Sequence, residues 1–353
     1  MVSHPALLLI AIFFSQAAFA QIGGKTSYQF LDVPVNAHVS GIGGVNISVR
    51  DQDPNMVMQN PALLNSSMNK YFSVSYLPYY ANIKANSLSY VQKIRNNMFG
   101  ASLQYLGYGN IQQTDANGTI LGTFNAREFA FTVSGSHTIN HYTIGANLKL
   151  AESHIYTYNS AAILADIGAI FKHPKKEFTI GLVMKNIGVP IQNYVKGHKT
   201  VLPFDVQLGT TFKPEHMPLR FSFTADHLQQ FDIVYQDTTI KTFDLQGNQI
   251  IHKKTFADKA GRHLIVGGEL ILSKNFHVRV GYNYLRRREL RVASKSGGAG
   301  FSWGFMLRIK SFEFGFSRAY YYSAGGTSFL TLTTNFETLM KKKSPSINNT
   351  NQN

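Results

Sequence analysis

The segment Phe276-His277-Val278-Arg279-Val280-Gly281-Tyr282-Asn283-Tyr284 sets an apolar or aromatic side chain at every second position, with polar residues or glycine between. A period of two marks a strand with unlike faces. The alternation recurs between Arg262 and Phe336, as Phe301, Trp303, Phe305, Leu307 and Ile309, then Phe312, Phe314 and Phe316. Ser302, Gly304, Arg308, Glu313, Gly315 and Ser317 are interleaved. Strands of a soluble sandwich are usually about five or six residues long and hide their apolar face in a packed core. These read as about ten residues or longer, which fits an all-β chain closed into a transmembrane antiparallel barrel, lipid outside and a polar lumen inside.

Working outward, strands are expected near 71–80, 83–93, 97–108, 124–136, 141–151, 161–172, 177–186, 202–213, 218–229, 262–272, 276–286, 298–309, 312–322 and 327–338. That is about fourteen, an even number as a single-chain bacterial barrel requires. Connections after even strands are tight, as in Ile94-Arg95-Asn96, Ser273-Lys274-Asn275 and Lys310-Ser311. Those after odd strands are mostly longer: Gly109 to Thr123, Ile187 to Val201, Gln230 to Gly261 and Arg287 to Gly297. Short turns on one side and long loops on the other place both termini in the periplasm. Tyr79, Tyr80, Tyr105, Tyr108, Tyr282, Tyr284 and Tyr320 to Tyr322 then fall at the outer interface, where aromatic girdles form.

Upstream, residues 1–20 read as a signal peptide: an apolar run from Ala6 to Phe14, then Ala18-Phe19-Ala20 before Gln21. Residues 21–70 are broken by Pro34, Pro54 and Pro61 and carry the glycine cluster Gly41 to Gly44. Irregular backbone survives at membrane depth only where protein or water surrounds it, so this segment is expected inside the barrel as a plug. Asp53 before Pro54 is placed to cap a short helix through Met56 to Gln59. Residues 71–338 form the barrel, and 339–353, with Lys341-Lys342-Lys343 and an Asn-rich end, read as a disordered periplasmic tail.

The 353 residues hold 44% hydrophobic and 13% aromatic residues, and beyond residue 20 no run is apolar for long enough to cross as a helix. The absence of cysteine excludes a lipidated cysteine, a thiolate metal site and disulfides. A formal charge of +15 would suit nucleic acid, an anionic lipid surface or a basic lumen, and the export signal argues against nucleic acid.

No catalytic constellation is visible, and no cofactor or metal site is expected. Asp226 and His227 are neighbours in an expected strand and so point to opposite faces. His137 and His141 flank a turn, and Asp51 and Asp53 suit local backbone capping. The densest charge, Arg286-Arg287-Arg288 with Arg291, stands above Tyr282 and Tyr284, at the depth of lipopolysaccharide phosphates. These arginines are candidate contacts for anionic lipid or an acidic partner.

The plug segment carries Phe30-Leu31-Asp32-Val33-Pro34-Val35-Asn36-Ala37, Gly43-Gly44, Asp51-Gln52-Asp53 and Asn60-Pro61-Ala62-Leu63-Leu64. With the barrel after it, this resembles the PorQ family of type IX secretion system proteins, across Gln21 to about Leu339. The related PorV proteins and the FadL-type lipid transporters look similar in this segment. Asn36 and His38 depart from the wider pattern, which has Ser and Arg there. The resemblance implies a fourteen-stranded FadL-like barrel in the outer membrane of Bacteroidota, with Phe30, Leu31, Pro34, Gly43, Gly44, Asp51, Asp53, Asn60 and Pro61 as its plug motif. It implies a non-enzymatic anchor for a PorZ-like surface protein, in one complex with PorU and PorV that joins secreted cargo to lipopolysaccharide. The alternative is a FadL-type transporter of hydrophobic compounds, which needs an apolar pocket in the lumen and a lateral gap in the wall. Inward candidates His277, Arg279, Asn283, Arg308 and Glu313 are polar, which favours the anchor.

Overall fold

The computed structural model describes residues 26–234, 255–290, 297–322 and 325–340. The expected signal peptide, the Gln246-Gly247-Asn248 triplet that reads in the sequence as a candidate hairpin tip, Arg291 and the basic tail lie outside these residues, as does the Tyr322 side chain. All fourteen expected strands form, and each pairs antiparallel with the next. In order they are β1 (Tyr71–Pro78), β2 (Lys84–Ile94), β3 (Asn97–Thr114), β4 (Ile120–Ile139), β5 (Tyr142–Ile155), β6 (Tyr158–Lys172) and β7 (Glu177–Gln192). The second half holds β8 (Asp205–Lys213), β9 (Leu219–Ala225), β10 (Leu264–Ser273), β11 (Phe276–Asn283), β12 (Phe301–Ile309), β13 (Phe312–Tyr322) and β14 (Gly325–Asn335). β1 pairs with β14 from Tyr71 opposite Asn335 to Tyr76 opposite Leu330, closing the barrel and leaving no free sheet edge at that seam.

The two faces separate as the alternation requires. On β5, Ile144, Leu148 and Leu150 are exposed outward, while Thr143, Asn147, Lys149, Ala151 and Ser153 are buried inside. On β11, Val280 faces out, and Arg279, Gly281 and Asn283 face in. Among the described residues no helix is long and apolar enough to cross a membrane.

Several strand ends differ from expectation, each for a local reason. The expected loop from Gly109 to Thr123 is instead hairpin: β3 and β4 continue to Thr114 and Ile120, turned by the Asp115 carboxylate accepting from the Asn117 and Thr119 N–H groups. β7 likewise continues to Gln192. β9 stops at Ala225, because His227 takes a left-handed backbone (φ 55°). β11 stops at Asn283, whose side chain accepts from the Arg286 N–H and starts a short helix, Tyr284–Glu289. Strand lengths become uneven: β4 has 20 residues and β9 has 7.

The N-terminal segment fills the barrel as a plug. Helix α1 (Ala37–Gly41) is capped by Asn36, and single 3-10 turns follow at Pro54–Met58, Pro61–Leu63 and Ser66–Met68. Asp53, Asn60 and Asn65 cap those turns through their side-chain oxygens. Met56, Leu63, Leu64 and Met68 are fully buried in an apolar core that also holds Val91, Met98 and Ile170 of the wall. Inward glycines let the two backbones touch. A Cβ on Gly281 would lie 2.1 Å from the Gly43 nitrogen, and one on Gly168 would lie 2.0 Å from the Asn60 side-chain oxygen. Gly43 and Gly44, at φ 106° and 95°, turn the chain where a side chain would strike Ile265 and Arg286.

Candidate functional site

Below the plug, toward the short turns, ionic groups fasten it to the wall. Glu269 on β10 sits under the plug and takes Arg279 through Nε at 2.8 Å, Arg220, and His277 at 3.1 Å. Arg220 also lies 3.7 Å from Asp51 of the plug. His38 on α1 completes the cluster: its Nδ1 is 3.3 Å from Asp51 and 3.7 Å from Asp53, and its Nε2 is 3.9 Å from Glu269. Asn36 donates to Asp53 at 2.5 Å. The two residues at which this chain departs from the resembled pattern are therefore both contacts of the plug. A polar cavity of about 510 Å³ lies beneath, lined in part by Lys274, Arg308 and Glu313.

Burial, and after it the Arg279 guanidinium, push the His38 imidazole down to about 4. A folded-state pKa below the unfolded one gives stability that is complete above about 6.5 and is lost as pH falls toward 4. Burial raises Asp51 and Asp53, which works in the opposite direction. Replacing His38 by Gln is therefore expected to lessen the acid-side fall of the thermal midpoint between pH 7 and about 4, and equal slopes in the two proteins would sink the assignment.

Above the plug the lumen changes character. Leu77, Ala85, Leu106, Ala130, Ala151, Ala162, Leu164, Ala319 and Phe329 turn inward and form one apolar cluster with Tyr28, Phe30 and Leu31 of the N-terminal segment. The expectation of a polar bore holds for His277, Arg279, Asn283, Arg308 and Glu313, near the plug, and fails in this upper chamber. Tyr79, Tyr108 and Tyr321 pack on it rather than facing lipid, whereas Tyr105 is exposed outward. Tyr108 donates to Glu128 at 2.6 Å, and Tyr28 bonds Ser160 at 2.7 Å. Tyr28 itself holds a left-handed backbone, φ 59°.

Beside this chamber the wall is incomplete. β7 pairs with β8 from Glu177 to Lys185 only, so Ile187–Gln192 runs on past the first residue of β8 with β6 as its sole partner strand. On the next seam, the β8–β9 ladder covers only Leu208–Phe212; above it the Leu228 N–H donates to the Val206 carbonyl at 3.0 Å, and side chains add to the joining. Gln229 accepts from the Val206 N–H at 3.0 Å, and Asp205 accepts from the His227 N–H at 2.8 Å. Asp226 and His227 do meet, 3.3 Å apart, which corrects the strand-based expectation: the left-handed turn at His227 puts both side chains on one side.

The arginine run is divided. Arg286 turns into the barrel, 4.3 Å from the Tyr321 ring and against Gly44. Arg287 donates to the Gly297 carbonyl, and Arg288 pairs with Asp258 of helix α2 (Phe256–Arg262) at 2.7 Å. Of the plug motif, Phe30 and Leu31 fill the upper chamber. Gly43 and Gly44 seat against the wall, Asp51 and Asp53 join the ionic cluster, and Asn60-Pro61 presses on β5 and β6.

Glu269, Arg220 and the inward alanines escaped the sequence reading. The signal was present in Gly267-Gly268-Glu269-Leu270-Ile271, a lone carboxylate in an apolar strand, which must find a cation if it faces inward.

No protein-family model and no curated protein sequence matches the chain. Solved structures do share its fold. The Ralstonia pickettii toluene transporter TbuX aligns over 86% of this chain and 99% of its own, with a TM-score of 0.51 at 11% identity. The monoaromatic hydrocarbon channel CymD aligns over 86% and 98%, with a TM-score of 0.52 at 13% identity. A further channel for monoaromatic hydrocarbons, a TodX mutant, gives 0.50 at 12% identity, over 86% and 97%. What the chain shares with these channels is the fold, a closed fourteen-stranded antiparallel β-barrel.

Proposed function

We propose that this barrel passes small hydrophobic molecules across the outer membrane, with its short turns in the periplasm. The carrying observation is the apolar chamber above the plug, with alanine, leucine and phenylalanine turned into a lumen that is otherwise polar. Tyr28, Phe30 and Leu31 occupy it as a resident stand-in for an apolar guest. Their exit is assisted by the left-handed Tyr28, a conformation that costs a non-glycine residue roughly 1 kcal/mol. The unaccompanied stretch Ile187–Gln192 offers the way out of the chamber, since neither backbone partner nor ladder spans it on the β8 side. The solved channels of like fold are described as carrying toluene or monoaromatic hydrocarbons, which supports the same class of cargo here. Toluene uptake by cells with and without the gene is the test. Loss of the gene is expected to lower uptake severalfold and Phe30→Ala to raise it; uptake indifferent to the gene would end this reading.

The tight seat of the plug favours a second reading, the anchor in the PorQ-like sense. A wall that meets the plug through glycines and a buried ionic cluster suits a rigid platform for a PorZ-like surface partner, with PorU and PorV in the same complex. In that case Arg288, at the rim, and Arg291 supply the lipopolysaccharide contact, Arg286 being engaged inside. Release of the partner into the medium on gene loss, with toluene uptake intact, is the outcome that selects it.

A further inference from the structure

The short-turn end carries a second cavity, of about 440 Å³, beside the mixed-charge one already described. Its lining includes Arg50 of the plug, Lys172 at the end of β6, and His141 and His173 from two turns of the wall. Among the described residues no carboxylate lines it, whereas the neighbouring cavity offsets Arg220, Arg279 and Arg308 with Asp51, Asp53 and Glu313. Ser66 adds a hydroxyl and Asn140 an amide, while Asn65, Ser67 and Thr138 are bonded to neighbouring groups of the protein.

Arg50 is the telling residue. Its Nη1 donates to the Thr143 hydroxyl at 3.2 Å, and among the described residues no carboxylate pairs with it. Burial lowers its pKa with no acid to offset the effect. A partly buried guanidinium normally has a carboxylate or phosphate partner, because desolvating it without one is costly. Nothing else in the plug explains why this arginine is aimed at a pocket of like charge. Lys175 and Lys176 sit in the same turn as His173, where both backbone N–H groups donate to the His173 Nδ1 and leave its Nε2 for a ligand. Tyr142 of β5 and Phe171 of β6 pack together at 5.2 Å beside these turns, the aromatic pairing expected at a lipid headgroup boundary.

We propose that this cavity binds a phosphate group, held by the Arg50 fork and by Lys172, with His141 and His173 as supporting donors. The group comes either from a phospholipid headgroup or from a soluble phosphate. Guanidinium, ammonium and hydroxyl donors converging from several directions suit a tetrahedral anion with several acceptor oxygens. The site is independent of the cargo reading, since it uses no residue of the upper chamber.

The full chain, purified in detergent, is compared with Arg50→Gln and with Lys172→Gln. The second variant lies at the exposed end of β6 and keeps the test alive if the first fails to fold. Heat-shifted gel mobility reports folding in each. One arm titrates inorganic phosphate calorimetrically; the other measures, by native mass spectrometry, retention of phosphatidylglycerol against diacylglycerol of the same chains. About a tenfold loss in a folded variant, roughly one charge-assisted contact, is expected. Loss in both arms supports the site with soluble phosphate as a competent source, and loss in the lipid arm alone supports it with a headgroup as the source. Wild-type binding by both folded variants in both arms, or no binding of either probe by the unaltered chain, overturns it.

Discussion

Gly281→Ala is expected to prevent the plug from seating. The added Cβ would lie 2.1 Å from the Gly43 nitrogen and 2.3 Å from the Ile42 carbonyl carbon, both main-chain atoms that no rotamer change can remove. Ordinary overpacking costs about 1–3 kcal/mol, and a clash with backbone on both sides belongs at or beyond the top of that range. The measurement is limited proteolysis of folded protein, with cleavage expected between Gly41 and Gly44, and a lowered midpoint of the heat-induced gel shift. Gly268→Ala is the matched control. Its Cβ would meet only the Val280 side chain at 3.4 Å, so a change within about 0.5 kcal/mol is expected. If both variants behaved alike, the close fit between plug and wall would not be what holds the segment in place.

Glu269→Gln is the second large effect. Glutamine keeps the shape and removes the charge, leaving Arg220 and Arg279 inside the barrel with their shared carboxylate gone. Asp51, 3.7 Å from Arg220, compensates only in part. Removing one partner from a buried ion pair costs about 3–5 kcal/mol, most of it the desolvation of the charge left behind. The stability loss should appear in urea unfolding from micelles. Adding Arg279→Gln should recover part of it, since the orphaned cation is then gone. Strict additivity of the two substitutions would show that the pair does not act as a unit.

The barrel was legible because lipid enforces the alternation: Val280, Trp303 and Phe314 must all face outward, and a slip by one residue would bury them in the lumen. Strand ends were less so. Asn283 reads as a good lumen residue in a strand, and its second role as a helix cap depends on Gly300 and Gly43, which contact it from afar in the sequence. The plug motif was recognisable as a segment, yet what each residue does there was hidden. His38 gains its meaning from Glu269, more than two hundred positions downstream, and no periodicity connects them. The apolar upper chamber was missed because Ala130, Ala151 and Ala162 are small and occupy the inward positions of otherwise mixed strands. Only the assembled ring shows that they line the same space as Phe30.

The unequal strands have a further effect. At about 3.3 Å per residue, β4 is roughly 66 Å long and β9 about 23 Å, and a tilt near 40° brings the shorter one below the ~25 Å depth of the surrounding hydrocarbon. Exposed Leu228, Phe231 and Phe256 stand over β9 and β10 and extend the greasy surface there. Around that flank acyl chains must shorten or the molecule must lean, while β3 to β6 rise on the opposite side as a parapet. Among the described strands the wall is thus low at β8 to β10 and tall at β3 to β6.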